Sequence, residues 1–286
     1  MKLILSVFFL CLFSFCHAQY DTTGPIDERI IRSVIEIANI EGSGSGFLVE
    51  NGDKRYLVTN KHMIASWTPV DQIIFFDTIY LNLYPNNISD AALKIPIHIS
   101  SNGNLISSKV KLHPNPKIDV AIVDITQDIA NAQIYNTFFL DWHFLQPLDS
   151  VRKVLSYGSH IFTVGFPAGN KSYKTNLPLA KSGYIASTLK GDLVMEQTWL
   201  NRQKHVVKAL TEGKIFIVDG LIIPGNSGGP VLIPKETVWR RINGQEMHYS
   251  PEQNAIIGIV SNIFDGTGLT TVFSSDNILE VFQQFR

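Results

Sequence analysis

Cysteine is nearly absent from this chain: there are two, Cys11 and Cys16, both within the first eighteen positions. If that segment is removed, no thiol remains, so neither a disulfide framework nor a cysteine metal site can hold the fold. A surplus of one charge sign is lacking too. Outside Met1–Ala18, 23 basic residues stand against 25 acidic ones, a balance that speaks against a nucleic-acid or membrane-surface partner. No later apolar run is long enough to span a bilayer. His98, His113, His143, His160 and His205 show no ligand-like spacing, so no metal is expected, and no cofactor is implied. Internal repeats and low-complexity tracts are also missing.

What is present begins with MKLILSVFFLCLFSFCHA, a lysine followed by an apolar run that ends in small residues before Gln19. This is the pattern of a secretory signal peptide over 1–18, cleaved after Ala18, and it places the mature chain in the periplasm or outside the cell. Cys16 offers an alternative, lipid anchorage, which the bulky Phe15 before it disfavours. The full 286-residue sequence is 45% hydrophobic, and the 268 residues that remain are enough to bury one or two cores without covalent help.

Short β-branched and aromatic runs dominate that chain. They include Ile31–Ile40, Gly46–Val49, Tyr56–Thr59, Ile73–Phe76, Val120–Ile125, Ile161–Gly165, Ile215–Val218, Val231–Ile233 and Ile256–Val260, with Gly, Asn, Pro and Asp clusters between them. Many short strands with turn signals predict an all-β barrel or sandwich. One helix is predicted at the C-terminus, about 275–285, capped by Ser274 or Ser275, with Asp276 in its first turn and Ile278, Leu279 and Phe282 on its apolar face. Lys190–Lys214 and Pro234–Asn254 read as excursions, the second holding Asn243-Gly244, a two-residue hairpin turn. The region 141–160 reads as a joint between two lobes.

The stretch Pro224-Gly-Asn-Ser-Gly-Gly-Pro230 is a tight turn by composition, and Gly225-Asn226-Ser227-Gly228-Gly229 also fits the G-x-S-x-G pattern of α/β-hydrolases. That pattern needs a helix after the serine, whereas Pro230 and the strand-like Val231-Leu232-Ile233 follow here. Upstream, His62 closes Tyr56–His62 at the end of an apolar strand. Asp119 stands at the mouth of the apolar run Val120–Val123. Singly, each reads as an ordinary strand-end residue.

The order His62, Asp119, Ser227 changes that reading, and the chain resembles the chymotrypsin-like (trypsin-fold) serine peptidases, closest to their bacterial, HtrA-type branch. The resemblance rests on Gly44-Ser45-Gly46-Phe47-Leu48-Val49, Val58-Thr59-Asn60-Lys61-His62, Ile118-Asp119-Val120-Ala121-Ile122, Val164-Gly165-Phe166-Pro167-Ala168-Gly169, and Asp219 through Pro230. It implies an all-β fold of two antiparallel six-stranded barrels with a C-terminal α-helix. The N-terminal barrel would cover about 24–145 and the second about 158–273 of a peptidase domain over 19–286. It further implies a triad of Ser227 as nucleophile, His62 as base and Asp119 as orienting acid, with the backbone N–H groups of Gly225 and Ser227 as oxyanion hole. Asp124 and Asp219 are competing acids. The first lies roughly 16–17 Å along an extended strand from Asp119, and the second occupies a motif position that is not the triad acid.

By the same resemblance, Leu221 floors the pocket for the cleaved side chain, and an apolar floor leaves an arginine or lysine unpaired. Val260, Ser261 and Asn262 would supply the strand edge that pairs with substrate backbone. Asn226 stands where digestive relatives keep an aspartate that pairs with a freshly cut N-terminus, so no activation cleavage is expected. The interval 67–113 reads as an insertion, a lid or extra hairpins, and no PDZ domain is expected after the final helix. The expected activity is serine endopeptidase on a protein or peptide substrate, with the oligomeric state open. Two alternatives stay open: a peptidase-fold binding or scaffold protein, and an esterase-type acyl hydrolase.

Overall fold

A computed structural model describes residues 24–67, 73–84, 92–130, 132, 137–171, 176–190, 192–200, 206–220, 222–236, 238–242, 245–249, 253–264 and 267–285. The segment 1–18, the Asn243-Gly244 step and Leu221 lie outside them.

The N-terminal lobe opens on helix α1 (Glu28–Ser33) and contains strands β1 (Val34–Ala38), β2 (Ser43–Asn51), β3 (Lys54–Thr59), β4 (Ala65–Trp67), β5 (Ile73–Phe75), β6 (Thr78–Leu83), β7 (Leu93–His98), β8 (Ser100–Ser101), β9 (Asn104–Leu105), β10 (Val110–Leu112), β11 (Ala121–Asp124) and β12 (Leu140–Asp141). Helix α2 (Leu148–Val151) lies in the joint. The C-terminal lobe follows with β13 (His160–Gly165), β14 (Leu179–Ile185), β15 (Leu193–Leu200), β16 (Val206–Gly213), β17 (Ile215–Asp219), β18 (Pro230–Ile233), β19 (Val238–Ile242), β20 (Gln245–Tyr249), β21 (Ala255–Ile263), β22 (Leu269–Ser274) and helix α3 (Ser275–Phe282).

Six strands of the second lobe close into a barrel in the order β13-β14-β17-β22-β21-β18. The first lobe is a curled sheet of eight strands, β10-β11-β3-β2-β1-β6-β7, with β12 added in parallel beside β2. Apart from β12 the pairings within both are antiparallel, and strands distant in sequence, such as β11 with β3 and β17 with β22, lie side by side. Among the described residues the ladder of the first lobe does not join β7 back to β10, so it forms a half-barrel where a closed one was expected.

Two details differ from the sequence reading, and a third gives the excursions their form. Ile31–Ser33 are helical, not extended: Asp27 caps the turn by accepting from Arg29 N, Glu28 and Arg32 occupy its first and last turns, and Ile30 is fully buried. Much of 67–113 is lobe wall, because β6 pairs with β1 and β7 with β6. In that wall Ile79, Leu81, Leu83, Ile95 and Ile97 alternate inward with period two. The extra pieces are the small hairpins β4–β5 and β8–β9. The excursions are two-stranded ribbons: β15 pairs with β16, and β19 with β20, where Ile242 stands opposite Gln245.

Each lobe has its own core, and a third cluster welds them together. Phe47, Val58 and Ile122 from the first lobe pack there with Phe166, Leu232, Ile259 and Phe273 from the second. Helix α3 seals this seam. Its Phe282 meets Tyr56 of β3 edge-on with ring centroids 5.1 Å apart. Ser274 is its N-cap residue, but the hydroxyl bonds the Asp276 carboxylate instead of a helix N–H. The buried face is Ile278, Val281 and Phe282, with Leu279 only partly covered.

Candidate active site

The tetrapeptide Thr59-Asn60-Lys61-His62 leaves β3 and turns into a single 3-10 turn, Lys61–Met63. All four side chains are committed. Thr59 Oγ1 donates to Ser45 O at 3.0 Å, and Asn60 Nδ2 to Asp119 O at 2.7 Å. Lys61 Nζ donates to His113 O and Asn115 O, both at 2.9 Å, tying down the loop that leads to Asp119. Burial pushes the Lys61 amine down to about 8, against the opposing pull of Asp119. His62 alone reaches the acid side chain.

Asp119 lies between that loop and β11. Its carboxylate accepts from His62 Nδ1 at 2.6 Å, from His62 N at 3.2 Å and from Ser261 Oγ at 2.8 Å. Burial alone would raise its pKa. The His62 charge and these three donors outweigh that and hold it below the usual carboxylate range. An ionised carboxylate can only accept, so Nδ1 must carry the proton and Nε2 is left with its lone pair. Burial disfavours the His62 imidazolium, yet Asp119 beside it raises the pKa overall. Asp124 is engaged elsewhere, 3.4 Å from Lys54 Nζ.

Ser227 sits in the loop between β17 and β18, on the other lobe. Its hydroxyl donates to Ser261 O at 3.0 Å and not to His62. Ser261 thus touches both halves: its hydroxyl donates to Asp119 and its carbonyl accepts from Ser227. To meet the His62 lone pair the Ser227 hydroxyl would have to give up the Ser261 carbonyl. Free enzymes commonly tighten such contacts only when substrate arrives.

The glycines of this loop answer to sterics. Gly225 has φ +97, and a Cβ there would stand 2.4 Å from Phe166 O. At Gly228, with φ +88, a Cβ would fall 1.9 Å from Ser45 O. Among the described residues, the N–H groups of Gly225 and Ser227 donate to nothing, whereas Asn226 N, Gly228 N and Gly229 N are all bonded. Two free N–H groups beside a hydroxyl can receive an oxyanion. Val260, expected in the substrate-pairing edge, spends its N–H on Gly229 O and its C=O on Gly228 N, so it holds the loop instead. The ladder between β21 and β22 breaks after Val260, leaving Ser261 and Asn262 in an irregular stretch of strand. Three contributors carried no sequence signal of their own: the hydroxyl of Ser45, the amine of Lys61 and the left-handed backbone of Ala168 (φ 51).

A second Ser–His–acid row stands on the outer barrel wall. Ser182 Oγ lies 2.7 Å from His160 Nε2, and Glu236 Oε2 lies 2.9 Å from His160 Nδ1. Ser182 is in mid-strand, where N–H groups on one edge are about 7 Å apart and cannot converge on one oxygen. The row lacks what the Ser227 loop provides.

A family model described as trypsin-like peptidase domain matches residues 44–238. No curated protein matches the chain. Among solved structures, an inactive serine-to-alanine mutant of Rv3671c from M. tuberculosis H37Rv is similar with a TM-score of 0.48 and 14% identity, covering 94% of this chain and 95% of that one. The active form of the Rv3671c protease from M. tuberculosis is similar with the same score and identity, covering 90% of this chain and 82% of that one.

Proposed function

The chain belongs to the trypsin-like peptidase domain family, and on that premise we propose that it is a serine endopeptidase working through Ser227, His62 and Asp119. The observation that carries this reading is the meeting of five groups at the lobe boundary. These are a His62–Asp119 pair in one tautomer, a serine hydroxyl across from it, and two unbonded N–H groups flanking that hydroxyl.

In the proposed reaction Ser227 Oγ leaves the Ser261 carbonyl, gives its proton to His62 Nε2 and attacks the scissile carbonyl. Asp119 stabilises the imidazolium so formed. The carbonyl oxygen, now an oxyanion, moves toward Gly225 N–H and Ser227 N–H. His62 then protonates the departing amine, and the same residues activate a water to release the acyl group from Ser227.

The departure of Ser227 Oγ also frees the Ser261 carbonyl, which with Asn262 becomes available to substrate backbone. For the cleaved position we propose uncharged, small to medium apolar side chains over Leu221; a substrate-profiling library dominated by Arg or Lys would contradict this. Export through cleavage after Ala18 is part of the same reading. So is activity without trimming at the N-terminus. The start of the described chain is docked by Asn254, which accepts from Asp27 N and donates to Pro25 O.

The test compares mature protein with Ser227→Ala, using a fluorophosphonate probe followed by casein. Labelling and cleavage by wild type, both lost in Ser227→Ala, are the expected result. Labelling that survives the substitution sinks the nucleophile assignment. Labelling without any cleavage of protein would move the reading to an esterase or a narrow-substrate hydrolase.

A further inference from the structure

We infer that Ser45, contributed by the opposite lobe, is a positioning residue that sets the aim of the oxyanion loop. Every polar group of this fully buried residue is in use. Ser45 N donates to Ser227 O at 2.8 Å, and Ser45 O accepts from Thr59 Oγ1 at 3.0 Å. Its hydroxyl accepts from Phe166 N at 3.0 Å and donates to Gly225 O at 2.7 Å. Room for that hydroxyl exists because residue 165 is glycine: a Cβ there would lie 2.7 Å from Ser45 Oγ.

The geometry of trans peptides gives these bonds their meaning, since the C=O and N–H of one plane point opposite ways. Anchoring a carbonyl inward therefore turns the N–H of the same plane outward. The plane carrying the Gly225 N–H is anchored at Pro224 O by Ala168 N at 2.6 Å. The plane carrying the Ser227 N–H is anchored at Asn226 O by Gly229 N at 2.9 Å. The plane between them is held at Asn226 N by Ile223 O and, at its carbonyl, by the Ser45 hydroxyl. This middle plane links the two planes that carry the free N–H groups, and Ser45 is the side chain that locks it. Glycine at 225 makes the lock necessary, because it permits rotations that other residues forbid.

Removing the hydroxyl strands the buried Phe166 N–H and leaves the part-buried Gly225 C=O without its partner, and the loop rotates to satisfy them. The activity consequence rests on the peptidase reading; the loop geometry does not. Ser45→Ala is therefore expected to lower kcat by about 10²–10³, the cost of losing one oxyanion donor, with KM changed less than about threefold. A peptide boronic acid, which mimics the tetrahedral adduct, should weaken by the same factor as kcat/KM. Ser45→Thr, which retains the hydroxyl, should restore most of both.

Hydrogen exchange at the Phe166 amide supplies a readout without turnover, and its protection should fall at least about tenfold in Ser45→Ala. If Ser45→Ala does not fold, Ser45→Cys, with its weak S–H donor, replaces it and should lie between alanine and wild type. A Ser45→Ala enzyme with wild-type kcat per titrated active site, or with unchanged Phe166 protection, overturns the inference and leaves the peptidase reading intact. Wild-type protein that cleaves no peptide and binds no boronic acid, while Ser45→Ala still exposes the Phe166 amide, refutes the peptidase reading and leaves the lock standing.

Discussion

In the proposed mechanism the His62–Asp119 pair sets both rate and pH response. The carboxylate raises the His62 pKa, and a protonated imidazole cannot take the Ser227 proton. Activity should therefore climb with pH through a limb lying above the ordinary histidine value of about 6.5. Asp119→Asn removes the raising charge and frees the wrong tautomer. It should move that limb to lower pH and cut kcat by about ten-thousand-fold; a pH–rate profile with an unmoved limb would count against Asp119 as the orienting acid. The linkage to stability has two sides. The lowered Asp119 contributes stability that is lost as pH falls through its folded pKa. The raised His62 contributes stability that is lost as pH rises through its own. Much of this pairing could be read from T-N-K-H and I-D-V-A-I. The contacts of Ser261 and Ser45 could not, because their acceptors lie 142 and 180 residues away in sequence and a serine hydroxyl advertises no partner.

At the scale of elements, helix α3 ties the lobes together more firmly than its eight residues suggest. It leaves β22 of the second lobe and lays Ile278, Val281 and Phe282 into the seam, where Phe282 meets Tyr56 of the first lobe. Phe282→Ala is expected to cost about 3 kcal/mol, a fall in Tm of roughly 6–12 °C for a chain near this size. The exposed neighbour Gln283, changed to alanine, should leave Tm within about 1–2 °C. A thermal melt comparing the two separates seam packing from mere helix propensity. The helix itself was legible, since a capping serine, an early aspartate and an apolar stripe all agree. Its exact inward face was not, because Val281 and Leu279 are both apolar and only the packing of the helix on β10, β11, β21 and β22 decides which is covered. The Ile31–Ser33 turn misled for the opposite reason. Its β-branched isoleucines suit a strand, but the Asp27 cap and the burial of Ile30 reward one turn of helix.

For the whole molecule, the scarcity of cysteine has a direct consequence. If export removes Met1–Ala18, the mature protein should begin at Gln19, contain no titratable thiol and melt at the same temperature with or without reductant. It should also be fully active without further trimming; intact mass, thiol titration and an assay before and after controlled N-terminal proteolysis check all of this. Activity appearing only after trimming would refute the role given to Asn226. The sequence alone determined the all-β class, the terminal helix and the succession of histidine, acid and serine motifs, because these depend on local periodicity and on residues adjacent in the chain. Only the tertiary structure decided that the first lobe curls without closing, that 67–113 is mostly wall, and that Ser227 rests on Ser261 while a serine from the far lobe steadies its loop. Those outcomes depend on which backbone groups remain unpaired once two sheets meet, and pairing across a seam is a property of the assembled surfaces that no single stretch of chain contains.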